Sequence, residues 1–184
     1  MIKSLDAASS GLVGGGLGYG GIGSNGNGHS FIVEFDTFYN KLVPDLTGAP
    51  TDDTTQDHST FQTSGDFTLQ GRVGNEAYLG NIKDGKWHDV RISWTTSTHL
   101  LEVYLNGLLI NSVTRDLVNL DFGGNPLINY GYTSSTGGKV NEHAVCIQSV
   151  TTCAAGLTAP VLRTVAEQNT CPGTTFNLNS LINL

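Results

Sequence analysis

Five side chains between positions 34 and 58 are of types that could do chemistry together: Glu34, Asp36, Asn40, Asp53 and His58. Glu34 and Asp36 sit two residues apart in Phe31-Ile32-Val33-Glu34-Phe35-Asp36-Thr37-Phe38-Tyr39-Asn40. That run alternates and is rich in aromatic and β-branched residues, so it reads as a strand. Successive side chains of a strand point to opposite faces. Phe31, Val33 and Phe35 therefore share one face. Glu34 and Asp36 share the other, and Phe38 and Asn40 continue their parity. Two carboxylates side by side repel each other, and a cation or a proton between them relieves the repulsion. Asn40 lies just beyond, and Asp53-Thr54-Thr55-Gln56-Asp57-His58 supplies further carboxylates and an imidazole. Oxygen donors in this number suit Ca²⁺, and the histidine nitrogen suits a neighbouring transition ion such as Mn²⁺. Read without a cation, the same residues make a solvated strand face and a surface histidine.

Several short elements must position that strand. Alternation predicts strands at 66–72, 77–82, 87–95, 101–105, 108–113, 127–133 and 143–150, with a turn at Lys83-Asp84-Gly85-Lys86. In 87–95, Val90, Ile92 and Trp94 fall on one face and Asp89, Arg91 and Ser93 on the other. Asn106-Gly107 separates two of these runs and signals a hairpin, because both positions accept φ > 0 in a type I′ turn. No segment shows a long helical apolar period. Short strands at this spacing predict an all-β, two-sheet sandwich. Residues 41–56 read as a polar loop. Residues 14–28 have the glycine-rich texture of a flexible linker. Leu17, Tyr19 and Ile22 spaced through those glycines give a second reading. They would anchor a loop whose backbone a ligand can approach closely.

The ordered set of motifs resembles legume-type (L-type) lectins, most of all their bacterial members. The metal strand and its downstream Asp and His match that family's pattern Glu-x-Asp-Thr-aromatic-x-Asn, then Asp-x4-His. The gap between Asn40 and Asp53 is longer than in the plant members, and Asp45, Asp52 and Asp57 lie close by. Upstream, Gly14-Gly15-Gly16-Leu17-Gly18-Tyr19-Gly20-Gly21-Ile22 resembles the family's glycine loop. Downstream, Trp87-His88-Asp89-Val90-Arg91-Ile92-Ser93-Trp94 and Leu101-Glu102-Val103-Tyr104-Leu105-Asn106-Gly107 resemble strands of its sandwich. The loop 132–141 resembles the one that sets sugar specificity. The likeness runs from about residue 11 to about residue 148.

The resemblance implies a concanavalin A-like jelly roll that binds glycans reversibly with Ca²⁺. Glu34 and His58 would bind a transition metal, Mn²⁺ or similar, and Asp36 and Asp53 would bridge both ions. Asn40 would bind Ca²⁺ through its side chain and Phe38 through its carbonyl. Calcium would also hold a cis peptide near Asp53. At the sugar, Asn40 would meet a hydroxyl, Gly15 would donate its N–H and Tyr39 would stack on the ring. The loop carrying Tyr132, Ser134 and Asn141 would close the pocket. Family members have several strands before the glycine loop, with an Ala-Asp-Gly turn that this chain lacks. The sandwich is therefore expected to be incomplete at its N-terminus.

Composition narrows the function classes. Sixteen acidic against nine basic residues give a net charge of −7, which argues against nucleic acid and anionic membranes as partners. No run is long and apolar enough to insert in a bilayer. Only 14 % of residues are charged and 24 are glycine, a mixture that suits an extracellular β protein. Met1-Ile2-Lys3-Ser4-Leu5-Asp6 lacks the apolar stretch of a signal peptide. The three cysteines, Cys146, Cys153 and Cys171, match no zinc spacing. In an exported protein Cys146 would bridge Cys153, and Cys171 would pair elsewhere; the alternative is unpaired thiols. The expected organisation is a lectin-like domain at 1–150 and a linker with the start of another module at 151–184. The parent would be a secreted or surface-anchored bacterial adhesin with further domains.

Two other function classes compete. Laminarinase-type hydrolases share the sandwich and carry Glu-x-Asp-x-x-Glu, whose carboxyls stand roughly 5–5.5 Å apart in retaining enzymes. Here the final position of that pattern is Tyr39, so an enzyme is not expected. A structural or protein-binding sandwich, with the shape of laminin-G or pentraxin modules, would keep Trp87, Trp94 and the Asn106-Gly107 hairpin without needing the carboxylates.

Overall fold

The computed structural model describes residues 2–4, 12–21, 29–38, 57–63, 71–125 and 128–150. The chain divides into two compact units, Met1–Asn141 and Glu142–Leu184. In the first unit the strands, in chain order, are β1 (Ile2–Ser4), β2 (Ser30–Asp36), β3 (Asp57–Thr63), β4 (Arg72–Gly80), β5 (Val90–Thr95), β6 (Leu100–Leu105), β7 (Leu108–Thr114) and β8 (Ile128–Tyr130). They form two sheets, one ordered β4-β3-β2-β1-β8 and the other β5-β6-β7. Every pairing is antiparallel. Helix is confined to a 3-10 turn at Gly14–Gly16 and one α turn, α1 (Leu117–Leu120), among the described residues. The architecture is that of an all-β sandwich. No helix among the described residues is long and apolar enough to cross a membrane.

The core follows from strand parity. Phe31 of β2, Phe61 of β3, Leu101 and Val103 of β6, Leu117 of α1 and Phe122 form one buried cluster. Val33, Phe35, Val73, Trp94, Ile110, Val113 and Ile128 pack around it, so both sheets contribute. Each fully buried Phe or Leu contributes roughly 1.5–3 kcal/mol, which makes this face the main source of stability. The rings of Phe31 and Phe61 lie 5.6 Å apart, and Trp94 meets Phe122 edge-on at 6.1 Å.

Two polar links cross the core. Between Ser59 and Phe61 the β4 partner jumps from Ala77 to Val73, a bulge that contains Gly74 at φ +77°. The bulge leaves the Asn75 carbonyl out of the ladder. Buried Asn111 of β7 donates to it at 2.9 Å and to the Ser59 carbonyl at 3.5 Å, tying one sheet to the other. Asp121, 1 % exposed, accepts from Arg115 at 2.7 and 3.0 Å and from the Thr63 hydroxyl. Asp121→Ala would take both carboxylate oxygens from the guanidinium and leave the Thr63 hydroxyl the longer contact to the Ser30 carbonyl at 3.4 Å. It should lower stability by about 2–3 kcal/mol, read from the urea midpoint.

The Asn106-Gly107 turn is as expected, with φ of 51° and 82° at the two residues. Asn106 is held further by its backbone and side-chain bonds to Asp89, at 2.8 and 3.0 Å, and by its amide against His88 Nδ1 at 3.1 Å. Several element boundaries differ from those read in the sequence. The strand read from Phe31 onward stops at Asp36, with Thr37 and Phe38 outside it, and β5 starts at Val90. The 77–82 run is the end of a longer strand that begins at Arg72. Of the predicted 66–72 strand, only residues 71 and 72 are described, and Arg72 opens β4.

Two elements were not legible. β1 pairs with both β2 and β8, yet its three residues carry no periodicity. β3 is polar apart from Phe61, but it lies between β2 and β4 and is buried on both faces. The predicted strand at 143–150 is not formed: these residues, in the second unit, have no regular structure. Alternation alone does not make a strand. A ladder partner is needed for the backbone groups, and none is present for 143–150 among the described residues. Val145, Ile147 and Val150 stay exposed. Cys146 is disulfide-bonded, and both other cysteines lie outside the described residues.

Candidate metal centre

The face of β2 opposite the core carries Ile32, Glu34 and Asp36. Antiparallel register sets Glu34 opposite Thr60 and Asp36 opposite His58 of β3. Side chains directly opposite one another have Cβ atoms roughly 4.5–5.5 Å apart, so the register alone delivers the imidazole to the carboxylates. One ligand atom each from Glu34, Asp36 and His58 lies within 4.8 Å of the other two. All three residues are buried, His58 completely. Oxygens bound to one Ca²⁺ at about 2.4 Å can be at most about 4.8 Å apart, and a transition ion asks for slightly closer donors. Two carboxylates and an imidazole are thus a donor set that fits a divalent cation.

Burial dominates the electrostatics of the two carboxyls. Burial pushes the Glu34 carboxyl from 4.5 up to about 7. The bonded Tyr19 hydroxyl opposes that rise, Asp36 adds to it, and His58 and Thr60 oppose it. Burial also raises Asp36, against the pull of the Phe38 N–H, His58 and the Thr37 N–H; Asp57 raises it further. The Phe38 N–H donates to Asp36 Oδ1 at 2.8 Å, which aims that carboxylate. Thr60 Oγ1 donates to Glu34 Oε1 at 3.4 Å. Buried Asp57 is engaged elsewhere: it pairs with the Lys83 ammonium and accepts from the Ile82 N–H at 2.8 Å. Lys83 also donates to the Thr37 carbonyl at 3.1 Å, so it latches the segment after β4 to the end of β2.

The glycine loop lies over this face. Tyr19, 2 % exposed, packs on Ile32 with Leu17 beside it, and its hydroxyl donates to Glu34 Oε2. The loop is closed on itself by Leu12 N to Gly20 O at 2.7 Å, Gly18 N to Leu12 O at 2.9 Å and Gly20 N to Gly16 O at 2.7 Å. On its other side it meets the segment after β8. Thr133 Oγ1 donates to the Leu17 carbonyl at 3.1 Å, and Ser135 Oγ to the Gly14 carbonyl at 2.9 Å. Gly18 has φ +74°, and a Cβ there would lie 3.0 Å from Thr133 Cβ. Gly18→Ala should therefore cost at least about 1 kcal/mol, read by urea unfolding, and should loosen the contact between these loops.

Of the residues singled out from the sequence, Glu34, Asp36 and His58 come together, with Phe38 adjoining through its N–H. Gly15 is exposed in the 3-10 turn. Tyr132 and Ser134 are exposed in the segment that meets that loop, and Asn141 is exposed at the end of the unit. Tyr39, Asn40, Asp53 and the cis peptide expected near Asp53 lie outside the described residues. The roles of Tyr19, Thr60 and Lys83 around the carboxylates were not read from the sequence. Tyr19 was visible there only as a loop anchor, because nothing in its spacing says that it meets Glu34. Searched against protein-family models, the chain matches none.

Proposed function

We propose that this chain is a non-catalytic, Ca²⁺-dependent glycan-binding domain with a concanavalin A-like jelly-roll sandwich, from a secreted or surface adhesin of bacterial type. The observation that carries the reading is the buried trio Glu34, Asp36 and His58, joined through Tyr19 to a glycine loop that packs on the 133–137 segment. In this reading Glu34, Asp36 and His58 hold a transition ion such as Mn²⁺. Asp36 also serves Ca²⁺, together with Asp53, the Asn40 side chain and the Phe38 carbonyl. Gly15, Tyr39, Asn40, Tyr132, Ser134 and Asn141 line the sugar site. Calcium supplies charge and fixed geometry there, and the chain's own hydroxyls, amides and rings select the sugar. The test is a glycan array probed with Ca²⁺ and Mn²⁺ and again with EDTA. Binding to a defined glycan group that EDTA abolishes is expected. Binding indifferent to EDTA, or none from a protein that takes up both ions, would refute it.

A second reading, a protein-binding or spacer sandwich, is favoured by a separate observation. Val90, Ile92 and Leu108, which share by register the face of the three-stranded sheet that carries Val103 and Leu105, are 43–73 % exposed. Apolar surface gathered in this way marks interaction sites. This reading requires no cation, so the EDTA arm separates the two.

A further inference from the structure

We infer that Tyr19 is a positioning residue that couples cation occupancy of the Glu34–Asp36–His58 cluster to the ordering of the paired surface loops 12–21 and 133–137. The inference rests on the cation reading above and adds to it a path by which the ion reaches the ligand-facing surface.

The path consists of contacts already described. One end is the Glu34 carboxylate, a cluster donor that accepts from the Tyr19 hydroxyl. The Tyr19 ring is wedged against Ile32, the residue that precedes Glu34 on the same strand face. From Tyr19 the backbone passes straight into the loop's own hydrogen bonds, Tyr19 N to Gly16 O at 2.9 Å and Gly20 N to Gly16 O at 2.7 Å. The far side of that loop carries the Leu17 and Gly14 carbonyls, and Thr133 and Ser135 donate to them. The fit leaves little slack. A Cβ on Gly18 would press on Thr133, and one on Gly137 would lie 3.1 Å from Gly14 Cα. The two loops therefore move together or separate.

The coupling has a physical cause. A carboxylate that binds a cation is held in one rotamer, and that fixes the point at which Tyr19 can donate. Without the ion that restraint is gone, and a change of Glu34 rotamer withdraws the acceptor from Tyr19. The loop then loses its bond to the cluster and keeps its apolar anchor on Ile32 and its bonds to Thr133 and Ser135. Linkage makes the effect reciprocal: a sugar that needs the loops closed must tighten the cation by the same factor that the cation tightens the sugar.

The test compares wild type with Tyr19→Phe, which keeps the ring on Ile32 and removes only the hydroxyl. MnCl2 and CaCl2 are titrated by calorimetry, and hydrogen exchange of residues 12–21 and 133–137 is followed with and without the ions. In wild type the ions should slow exchange in both loops by about tenfold or more. Tyr19→Phe should still bind the ions, with affinity reduced about tenfold by loss of one charged hydrogen bond. At saturating ion its loops should gain no protection. A merely structural tyrosine would shift exchange equally with and without ion. That result, or full ion-dependent protection in Tyr19→Phe, overturns the coupling and leaves the cation reading standing. A wild type that binds neither ion overturns both. Should Tyr19→Phe fail to fold, Thr133→Val with Ser135→Ala cuts the path at its other joint. Ion-dependent protection should then persist in 12–21 and vanish from 133–137, and its persistence in both overturns the path.

Discussion

Asp36→Ala is expected to abolish the stabilisation of this protein by divalent cations. Wild type titrated with Ca²⁺ or Mn²⁺ to about 100 times Kd should gain about 2.7 kcal/mol, the linkage expected of an ion that binds only the folded form. For a chain of this size that is a rise in melting temperature of roughly 5–10 °C, reversed by EDTA. The variant should show no rise, since it lacks the carboxylate that stands directly opposite His58 and beside Glu34. Without ion the variant should not be strongly destabilised. Asp36 is buried next to a second carboxylate and close enough to Asp57 to feel its charge, so removing it relieves repulsion as well as costing the Phe38 bond. The pair of results is what identifies a cation site. A structural carboxylate would lower stability in both conditions, whereas a ligand loses only the gain from the ion. A variant that kept the wild-type rise would place the ion elsewhere in the molecule.

The ion-free protein should lose stability as pH rises from about 4.5 to about 7, and a bound ion should remove that loss. Burial gives the Glu34 carboxyl a folded-state value of about 7 against 4.5 when unfolded. In this window the folded chain holds a proton that the unfolded chain has released. Stability therefore falls with rising pH: the Glu34 contribution is full below about 4.5 and gone above about 7. The whole change is about 3 kcal/mol. Asp36 is shifted in the same direction for the same reason and adds to the slope. A bound cation replaces the proton, so its affinity climbs across the window while the protein's own stability declines. Urea midpoints taken between pH 4.5 and 7.5 with EDTA should fall steadily, and with saturating Mn²⁺ they should stay level or rise. Glu34→Gln, which stays neutral at every pH, should flatten the EDTA profile apart from the part due to Asp36. A flat EDTA profile in wild type would mean that Glu34 is ionised throughout and its burial is otherwise compensated.

These two results depend on information that was unequally visible in the chain. The carboxylates were legible because strand parity is local: the alternation from Phe31 to Asp36 puts three apolar side chains on one face and both acids on the other. The hairpin at Asn106-Gly107 was legible for a similar reason, since its positive φ values are a property of two residues. β3 was not legible. Six of its seven residues are polar or charged, and such a run ordinarily reads as a surface loop. It is a strand because β2 and β4 pair with it on both sides and satisfy its backbone. The failed strand at 143–150 is the converse case, with a good pattern and no partner. Lys83 and Tyr19 also lay beyond reach. Asp57 and Lys83 are 26 positions apart, Tyr19 and Glu34 are 15 apart, and no pattern of side-chain types links either pair.

The sequence by itself determined which residue types could gather around a cation, which face of β2 they share, and that the fold would consist of short strands packed in two sheets. Each of those follows from the period of two along a strand or from the conformational limits of a dipeptide turn. Tertiary structure alone decided that His58 stands opposite Asp36, that Asp57 pairs with Lys83, and that Tyr19 reaches over to Glu34. Register between strands and the docking of a loop on a sheet are long-range choices. They are set by burying Phe31, Phe61 and Tyr19 together with their neighbours, and no local stretch of the chain encodes them.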